Sequence, residues 1–182
     1  LSRLLLPNLT VSENTVLTAT FTSNNYQLHS TLESDEITYN GVIFSDVYVK
    51  NKTEKDKTTL NINLKDFIFK QKSPTNPVEL GLENMKFYFD LHDDSLLFDL
   101  SWDDALLDDV NKGKLSATYL ANEHGGQLHV TSSDVIINDS LWNITPNCYV
   151  DFKKNKITFS EFDIYSRNQS LKLKGNLQKK KK

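Results

Sequence analysis

Cysteine, glycine and long apolar runs are scarce in this 182-residue chain, and each shortage excludes a class of protein or site. The single cysteine, Cys148, rules out an internal disulfide and a cysteine metal cluster. Leu1 to Leu6 is too short an apolar run to span a membrane or to form a complete signal peptide. The adjacent Gly125 and Gly126 lead into a predicted strand, so they form no phosphate-binding loop. Because position 1 is not Met, we expect a fragment of a longer protein.

The charge of the chain argues against a nucleic-acid partner. Its 21 Lys and Arg face 24 Asp and Glu, and Lys179 to Lys182 supply four of the positive charges. The body therefore carries 17 basic against 24 acidic side chains, and an acidic body is repelled by phosphates. The basic tail at 178–182 is either a solvated or artificial terminus or a contact to a membrane surface.

Residues that could carry chemistry form no recognisable catalytic or metal-binding pattern. Adjacent aspartates on a strand or turn point apart, whereas a glycosidase needs two carboxyls facing each other across a cleft. The ligand order of an EF-hand and the histidine spacing of zinc sites are both missing. We therefore expect the aspartates to lie in solvated loops, with incidental calcium binding as the alternative. We therefore predict no enzyme, no cofactor and no metal site. The residues concerned are Asp93, Asp94, Asp103, Asp104, Asp108, Asp109, His29, His92, His124 and His129.

Alternation of apolar and polar residues dominates the sequence from Gly126 to Leu177. Residues two apart on a strand share a face, so the pattern predicts successive short strands, each with one apolar side. The predicted pairs are Leu128/Val130, Val135/Ile137, Trp142/Ile144, Val150/Phe152, Ile157/Phe159, Phe162/Ile164 and Leu171/Leu173. A long one-sided β surface favours binding over catalysis.

The same pattern predicts one elongated β domain over 15–177, after a lead-in segment at 1–14. The break at Ser73 to Pro77 divides it into strand groups at 15–72 and 78–177. Within the first group, Lys50 to Lys57 is predicted to be a solvated turn, and Gly41 a bulge or bend. These short, closely spaced strands predict an all-β fold with a curled, mostly antiparallel sheet that forms a groove.

One segment is typical of a short helix or structured loop. In Trp102 to Gly113, Leu106, Leu107 and Val110 fall three to four residues apart, acidic residues come early, and Gly113 could end the helix. We expect at most this one short helix, since an isolated helix of three turns is marginal in water.

The segment from Gly126 to Leu177 contains the runs Gly126–Ser133, Val135–Asp139, Trp142–Pro146 and Ile157–Phe159, then Phe162, Gln169 and Leu171–Gly175. In these residues the segment resembles the Bacteroidetes form of the TamB family of AsmA-like proteins. The Leu9–Ser12 lead-in and the Trp102–Gly113 stretch fit the same style.

The resemblance implies a periplasmic part of an inner-membrane-anchored envelope protein, with the anchor outside this fragment. Such a protein carries phospholipid toward the outer membrane through an apolar β-groove, or assists outer-membrane protein assembly together with a TamA-type β-barrel partner. Its ligands are phospholipid acyl chains. The rival hypotheses are a β-sandwich adhesin or carbohydrate-binding module, and an enzyme that uses the Asp-rich middle.

The candidate groove residues are apolar side chains in phase with the predicted strands. They line either an open groove or an ordinary closed core, and the sequence leaves both open. If the chain is cut from a longer rod, its end strands also lose neighbours, so we expect edge-to-edge self-association or edges covered by the termini. The candidates are Leu17, Phe21, Leu28, Leu60, Ile62, Leu64, Phe87, Phe89, Leu91, Phe98, Leu128, Val130, Trp142, Ile144, Ile157, Phe159, Leu171 and Leu173.

Overall fold

A computed structural model describes residues 8–70, 79–104, 111–137, 139–145, 148–167 and 169–178. Within these ranges the regular secondary structure is entirely β, and all thirteen strands belong to one sheet with antiparallel pairing. The predicted all-β, antiparallel fold is confirmed. The strands are β1 (Leu9–Val11), β2 (Val16–Thr22), β3 (Gln27–Tyr39), β4 (Val42–Glu54), β5 (Lys57–Lys70), β6 (Glu79–His92), β7 (Ser95–Asp103), β8 (Lys112–Asn122), β9 (Gly125–Ile137), β10 (Ser140–Ile144), β11 (Tyr149–Lys153), β12 (Lys156–Ser166) and β13 (Gln169–Gln178).

The strands follow one another across the sheet nearly in chain order. β1 and β2 lie end to end against β3, and β10 and β11 lie end to end between β9 and β12. β3 to β9 each pair with the strand before and the strand after, and β13 closes the far edge against β12. Because successive strands are neighbours, tight hairpin turns are enough to connect most of them.

The turn between β3 and β4 shows how the sequence sets these hairpins. Asn40 and Gly41 both have positive φ, 51° and 84°, which is the backbone that a two-residue type I′ turn requires. Gly41 is therefore the second residue of a hairpin turn and not the predicted bulge or bend. The predicted turn over Lys50 to Lys57 is also too wide, because β4 continues to Glu54.

The long strands β3 to β6 change the phase of their apolar residues near the middle. Val47, Leu64 and Met85 form the buried core cluster, and the residues packed against it include ones three positions away on the same strands. A spacing of three breaks strict alternation, so each strand must turn over locally to keep both residues on one face. We call the row through these positions the fold line. Its spaced pairs are Ser34/Ile37, Phe44/Val47, Leu64/Phe67 and Leu82/Met85.

Backbone geometry and side-chain hydrogen bonds support the fold line. Asp46 and Asn84 have φ of 46° and 50° inside their strands, a left-handed conformation that Asn and Asp tolerate better than other non-glycine residues. Asn84 Nδ2 donates to the carbonyl of Asp103 at 2.8 Å. The buried Asp104 carboxylate accepts the N–H of Glu83 at 2.5 Å. Side chains thus satisfy backbone groups where the strands bend.

A hydroxyl cluster closes the fold line at the β3 end. The buried Ser34 hydroxyl lies 3.1 Å from that of Ser12 and 2.7 Å from that of Thr15, and it donates to the carbonyl of Glu36 at 3.0 Å. Ser12 and Thr15 belong to the short link between β1 and β2, so the link crosses the fold line. The predicted lead-in at 1–14 therefore contains a paired strand, β1.

β-bulges shift the phase in the second half of the sheet. The register of β9 slips opposite Ser116 and Ala117, and that of β12 slips between Phe159 and Phe162. The Ser160 hydroxyl accepts the N–H of Tyr149 and donates to its carbonyl, both at 2.9 Å. Leu128/Val130 and Val135/Ile137 consequently lie on one continuous strand, as do Ile157/Phe159 and Phe162/Ile164, where the sequence predicted separate strands.

The predicted helix is wrong at both of its ends. Trp102 and Asp103 finish β7, Lys112 and Gly113 begin β8, and the two strands pair through Trp102 and Gly113. Its middle, at 105–110, lies outside the described residues, as do the break at 71–78 and the tail residues 179–182. Around that break, β5 pairs with β6 from Lys57 to Lys70, so the two predicted strand groups share one sheet.

Candidate apolar groove

One face of the sheet presents apolar side chains from strand to strand. Residues directly opposite each other on antiparallel strands share a face, so the register traces this surface. One row crosses β2 to β8 with a single apolar side chain from each strand: Leu17, Leu32, Val49, Ile62, Phe87, Leu100 and Leu115. We call the surface that contains this row the apolar face.

The structure brings all of the predicted groove residues onto this face. In β5 to β7 the shared face follows from the pairs Leu60–Phe89 and Phe89–Phe98. Farther along, Val130 lies opposite Ala117, and Leu128 lies opposite both Tyr119 and Val150. Beyond these strands, Phe159 pairs with Val150, Trp142 with Val135, Ile144 with Ile164, and Ile164 with Leu171. The phase slips restore one face where strict alternation would divide it.

Burial along the apolar face is deep at the fold line and again at Ala117 and Val150, and it falls toward both ends of the sheet. Leu64 is 6% exposed, whereas Leu17 in β2 is 70% and Leu171 in β13 is 54% exposed. Most of the remaining candidate residues are half-buried. Among the described residues no large side chain is fully buried, and they form one sheet with no second sheet against it. The apolar face is thus a curved, partly open surface around a small core.

Aromatic rings form the centre of this surface. The rings of Phe89 and Phe98 have centroids 5.2 Å apart, and those of Phe87 and Phe89 lie 6.4 Å apart and nearly parallel. Phe44 and Phe67, which both belong to the fold line, form a second pair with centroids 5.2 Å apart. These separations are typical of favourable aromatic contacts, worth about 0.5–1.5 kcal/mol each beyond area burial. The rings therefore form an apolar surface at the centre of the face, and each ring stays half-exposed to solvent.

The opposite face is polar and tied together by charge. The Asp90 carboxylate accepts hydrogen bonds from Lys57 at 2.7 Å and from the Tyr88 hydroxyl at 2.9 Å. The bond from Lys57, followed by that from Tyr88, lowers the pKa of Asp90, while the bonds to Asp90 raise the pKa values of Lys57 and Tyr88. The Ser116 hydroxyl donates to the Asp99 carboxylate on the same face. We call this surface the polar face.

The acidic pairs that the sequence singled out do not converge. Asp93 and Asp94 occupy the exposed turn between β6 and β7, and Asp103 is exposed at the end of β7. Asp104 is buried, and its carboxylate accepts the N–H of Glu83. Asp108 and Asp109 lie outside the described residues. No group of three potential metal-ligating side chains occurs in the described ranges. The buried Asp104 supports a strand bend instead of facing a cleft.

The histidines also lie apart. His92 pairs with Asp93 in the turn at 3.0 Å, and His124 is exposed in the turn before β9. His129 lies on the polar face beside the ring of Tyr149, with centroids 5.5 Å apart. His29 is exposed on β3.

The part of the chain that the structure describes contains no helix long and apolar enough to cross a membrane.

Several residues of the apolar face escaped the sequence-based list. Val47, Met85 and Ala117 are the most buried of them. Ile37, Phe44, Phe67, Leu82 and Trp102 pack against the cluster of Val47, Leu64 and Met85. The signal that could have found them is the recurrent spacing of three between apolar residues in β4, β5 and β6.

Comparison of the chain with protein-family models, curated proteins and solved structures finds no match in any of the three.

Proposed function

We propose that the apolar face binds the acyl chains of phospholipids, as a segment of a periplasmic envelope-biogenesis protein of the TamB type. The observation that carries the proposal is a continuous apolar face on a single curled sheet whose side chains stay half-exposed. A surface of this kind is costly in water and is typical of a binding site. Assistance to outer-membrane protein assembly with a TamA-type β-barrel partner is the second activity that the resemblance supports.

The length of the face suits a chain-like ligand. The strands occupy eleven positions across the sheet because β1 with β2 and β10 with β11 lie end to end. At about 4.8 Å per strand, the apolar face extends roughly 48 Å across the strands. An acyl chain lying along it gains about 0.8 kcal/mol for each methylene fully removed from water. Ten half-covered methylenes would therefore contribute about 4 kcal/mol, which is enough for reversible binding.

Such binding is physical and involves no bond chemistry. Apolar side chains of neighbouring strands form a surface with little directional preference, so a chain can slide along it without losing specific hydrogen bonds. The backbone groups remain paired between strands, and the polar face stays hydrated. Lipid movement would then follow the order of the strands, from one sheet edge to the other.

A matched pair of double variants tests acyl-chain binding. Leu91 and Leu171 are 45% and 54% exposed on the apolar face, and Leu97 and Leu120 are 38% and 48% exposed on the polar face. The test variant carries Leu91→Lys and Leu171→Lys, which place two charges on the surface where the acyl chain would lie. We expect its dissociation constant for a fluorescent fatty acid to rise about tenfold, equivalent to about 1.4 kcal/mol.

The control variant carries Leu97→Lys and Leu120→Lys and has the same change in charge and hydrophobicity. Its affinity should stay within about twofold of the wild type, and far-UV circular dichroism should show that both variants keep their strands. Equal losses in the two variants, or no binding of a fluorescent phospholipid by the wild type, would contradict the proposal. If the wild type binds glycans but not lipid, the result would favour the alternative hypothesis of a carbohydrate-binding module.

A further inference from the structure

Among the residues that the structure describes, the edge strand β2 pairs on one side only. Val16–Thr22 pairs with β3 on one side, and no other described strand pairs with it. All seven of its residues are exposed, including Phe21 at 62%. The backbone groups on its outer side therefore have no partner strand within the described residues, and an edge of this kind is a template for pairing with another chain.

The composition of β2 gives it no protection against pairing. Its sequence contains no charge, no proline and no glycine, and from Leu17 to Thr22 it alternates apolar residues with threonine. The opposite edge, β13, carries Lys172 and Lys174 on its polar face and Gly175 with φ of 151°. Edge lysines and irregular backbone disfavour strand addition. The sheet is thus protected at one end and open at the other.

The residue order of β2 is self-complementary. If a second β2 lies antiparallel with Ala19 opposite its own copy, Leu17 lies opposite Phe21 and Thr18 lies opposite Thr20. Apolar residues then meet apolar residues on one face, and Thr18 meets Thr20 on the other, which are favourable cross-strand pairs. Val16 lies opposite Thr22 at each end of the interface. We propose that two copies of this chain pair through β2, related by a two-fold axis at Ala19, to form one continuous sheet.

The proposed interface is small and depends on backbone hydrogen bonds. Two seven-residue antiparallel strands make roughly six to eight bonds, whichever residues point outward. An edge of this length buries less surface than the ~1,200 Å² of a standard interface, so the dimer is weak and concentration-dependent. The two-fold axis is perpendicular to the sheet, so the apolar faces of the two copies join. The pairing does not require lipid, and its test is separate from that of the proposed function.

Disulfide trapping tests the register. In the Ala19→Cys variant, the two Cα atoms at the axis would lie about 4.5–5.5 Å apart, within the range that a disulfide spans. In the control variant Thr22→Cys, the two cysteines would be six residues out of register, about 20 Å apart. Under mild oxidation of the full chain we expect a covalent dimer from Ala19→Cys and at least tenfold less from Thr22→Cys. The wild type controls for the buried Cys148.

Charge exchange at the threonines is the second test. A variant with Thr18→Lys and Thr20→Lys opposes like charges across the axis and should sediment as a monomer. The variant with Thr18→Glu and Thr20→Glu should do the same. Mixing the two should restore the dimer. A wild type that stays monomeric at millimolar concentration, or equal cross-linking at positions 19 and 22, would overturn the proposal. Oligomers larger than dimers, without cross-linking at position 19, would also overturn it and would indicate head-to-tail pairing of β2 with β13.

Discussion

Gly113 lies beneath the indole ring of Trp102. This contact predicts that adding a side chain at position 113 destabilises the protein. A Cβ built on Gly113 would lie 2.1 Å from Cη2 and 2.2 Å from Cζ2 of Trp102, far inside van der Waals contact. Gly113→Ala must therefore displace a ring that packs against the core cluster of Val47, Leu64 and Met85. We expect a loss of about 1–3 kcal/mol in the free energy of unfolding, as for other overpacked sites.

A double-mutant cycle separates this steric effect from an effect on the backbone. The φ of Gly113 lies outside the left-handed region, so alanine is compatible with the strand and reduces the entropy of the unfolded chain. In a Trp102→Ala background, Gly113→Ala should consequently be neutral or stabilising by up to about 1 kcal/mol. The two changes should thus couple by roughly 1–4 kcal/mol.

Urea unfolding followed by far-UV circular dichroism measures all four members of the cycle without relying on tryptophan fluorescence. A neutral Gly113→Ala in the wild-type background would refute the reasoning, because the ring could then move at no cost. So would a loss that persists unchanged after Trp102→Ala, since the glycine would then be required by the backbone.

Two further predictions concern the fold line and the polar face. Asn84→Ala should cost about 1–3 kcal/mol in urea unfolding, because alanine is strained at φ of 50° and loses the bond to the Asp103 carbonyl; Asn84→Gly should recover the strain part, and equal losses would contradict this account. The lowered pKa of Asp90, held by Lys57 and then Tyr88, contributes stability that is full above about pH 4 and is lost as pH falls through the lowered pKa. Asp90→Asn should therefore flatten the acid limb of thermal stability, and an unchanged limb would refute the assignment.

The strands and their faces follow from the sequence because alternation is a local property. Successive side chains on a strand point to opposite sides, so Leu60, Ile62 and Leu64 could be assigned to one face from spacing alone. The charged residues from Lys50 to Lys57 predict a turn, and this prediction is wrong for most of the segment. Lys52 and Glu54 lie within β4 and pair at 2.7 Å on the polar face. A single-layer sheet keeps that face hydrated, so charged residues do not interrupt it.

The helix prediction failed because pairing across strands outweighs weak local preference. Leucines three to four apart and early acidic residues favour a helix in isolation. Trp102 and Gly113, however, lie directly opposite each other in β7 and β8, and the glycine makes room for the ring. That fit depends on two residues eleven positions apart, and no local window reveals it.

The sequence by itself determined the β class, the antiparallel connections and the candidate residues that share the apolar face, but it missed the residues at the fold line. Only the tertiary structure decided that the phase slips are bends and bulges inside continuous strands, and that they align from Ser34 to Met85 as one fold line. It also decided that the apolar face stays partly open around a small core. The physical reason is that alternation is fixed by each residue's own backbone, whereas register and curvature depend on pairing between strands distant in sequence.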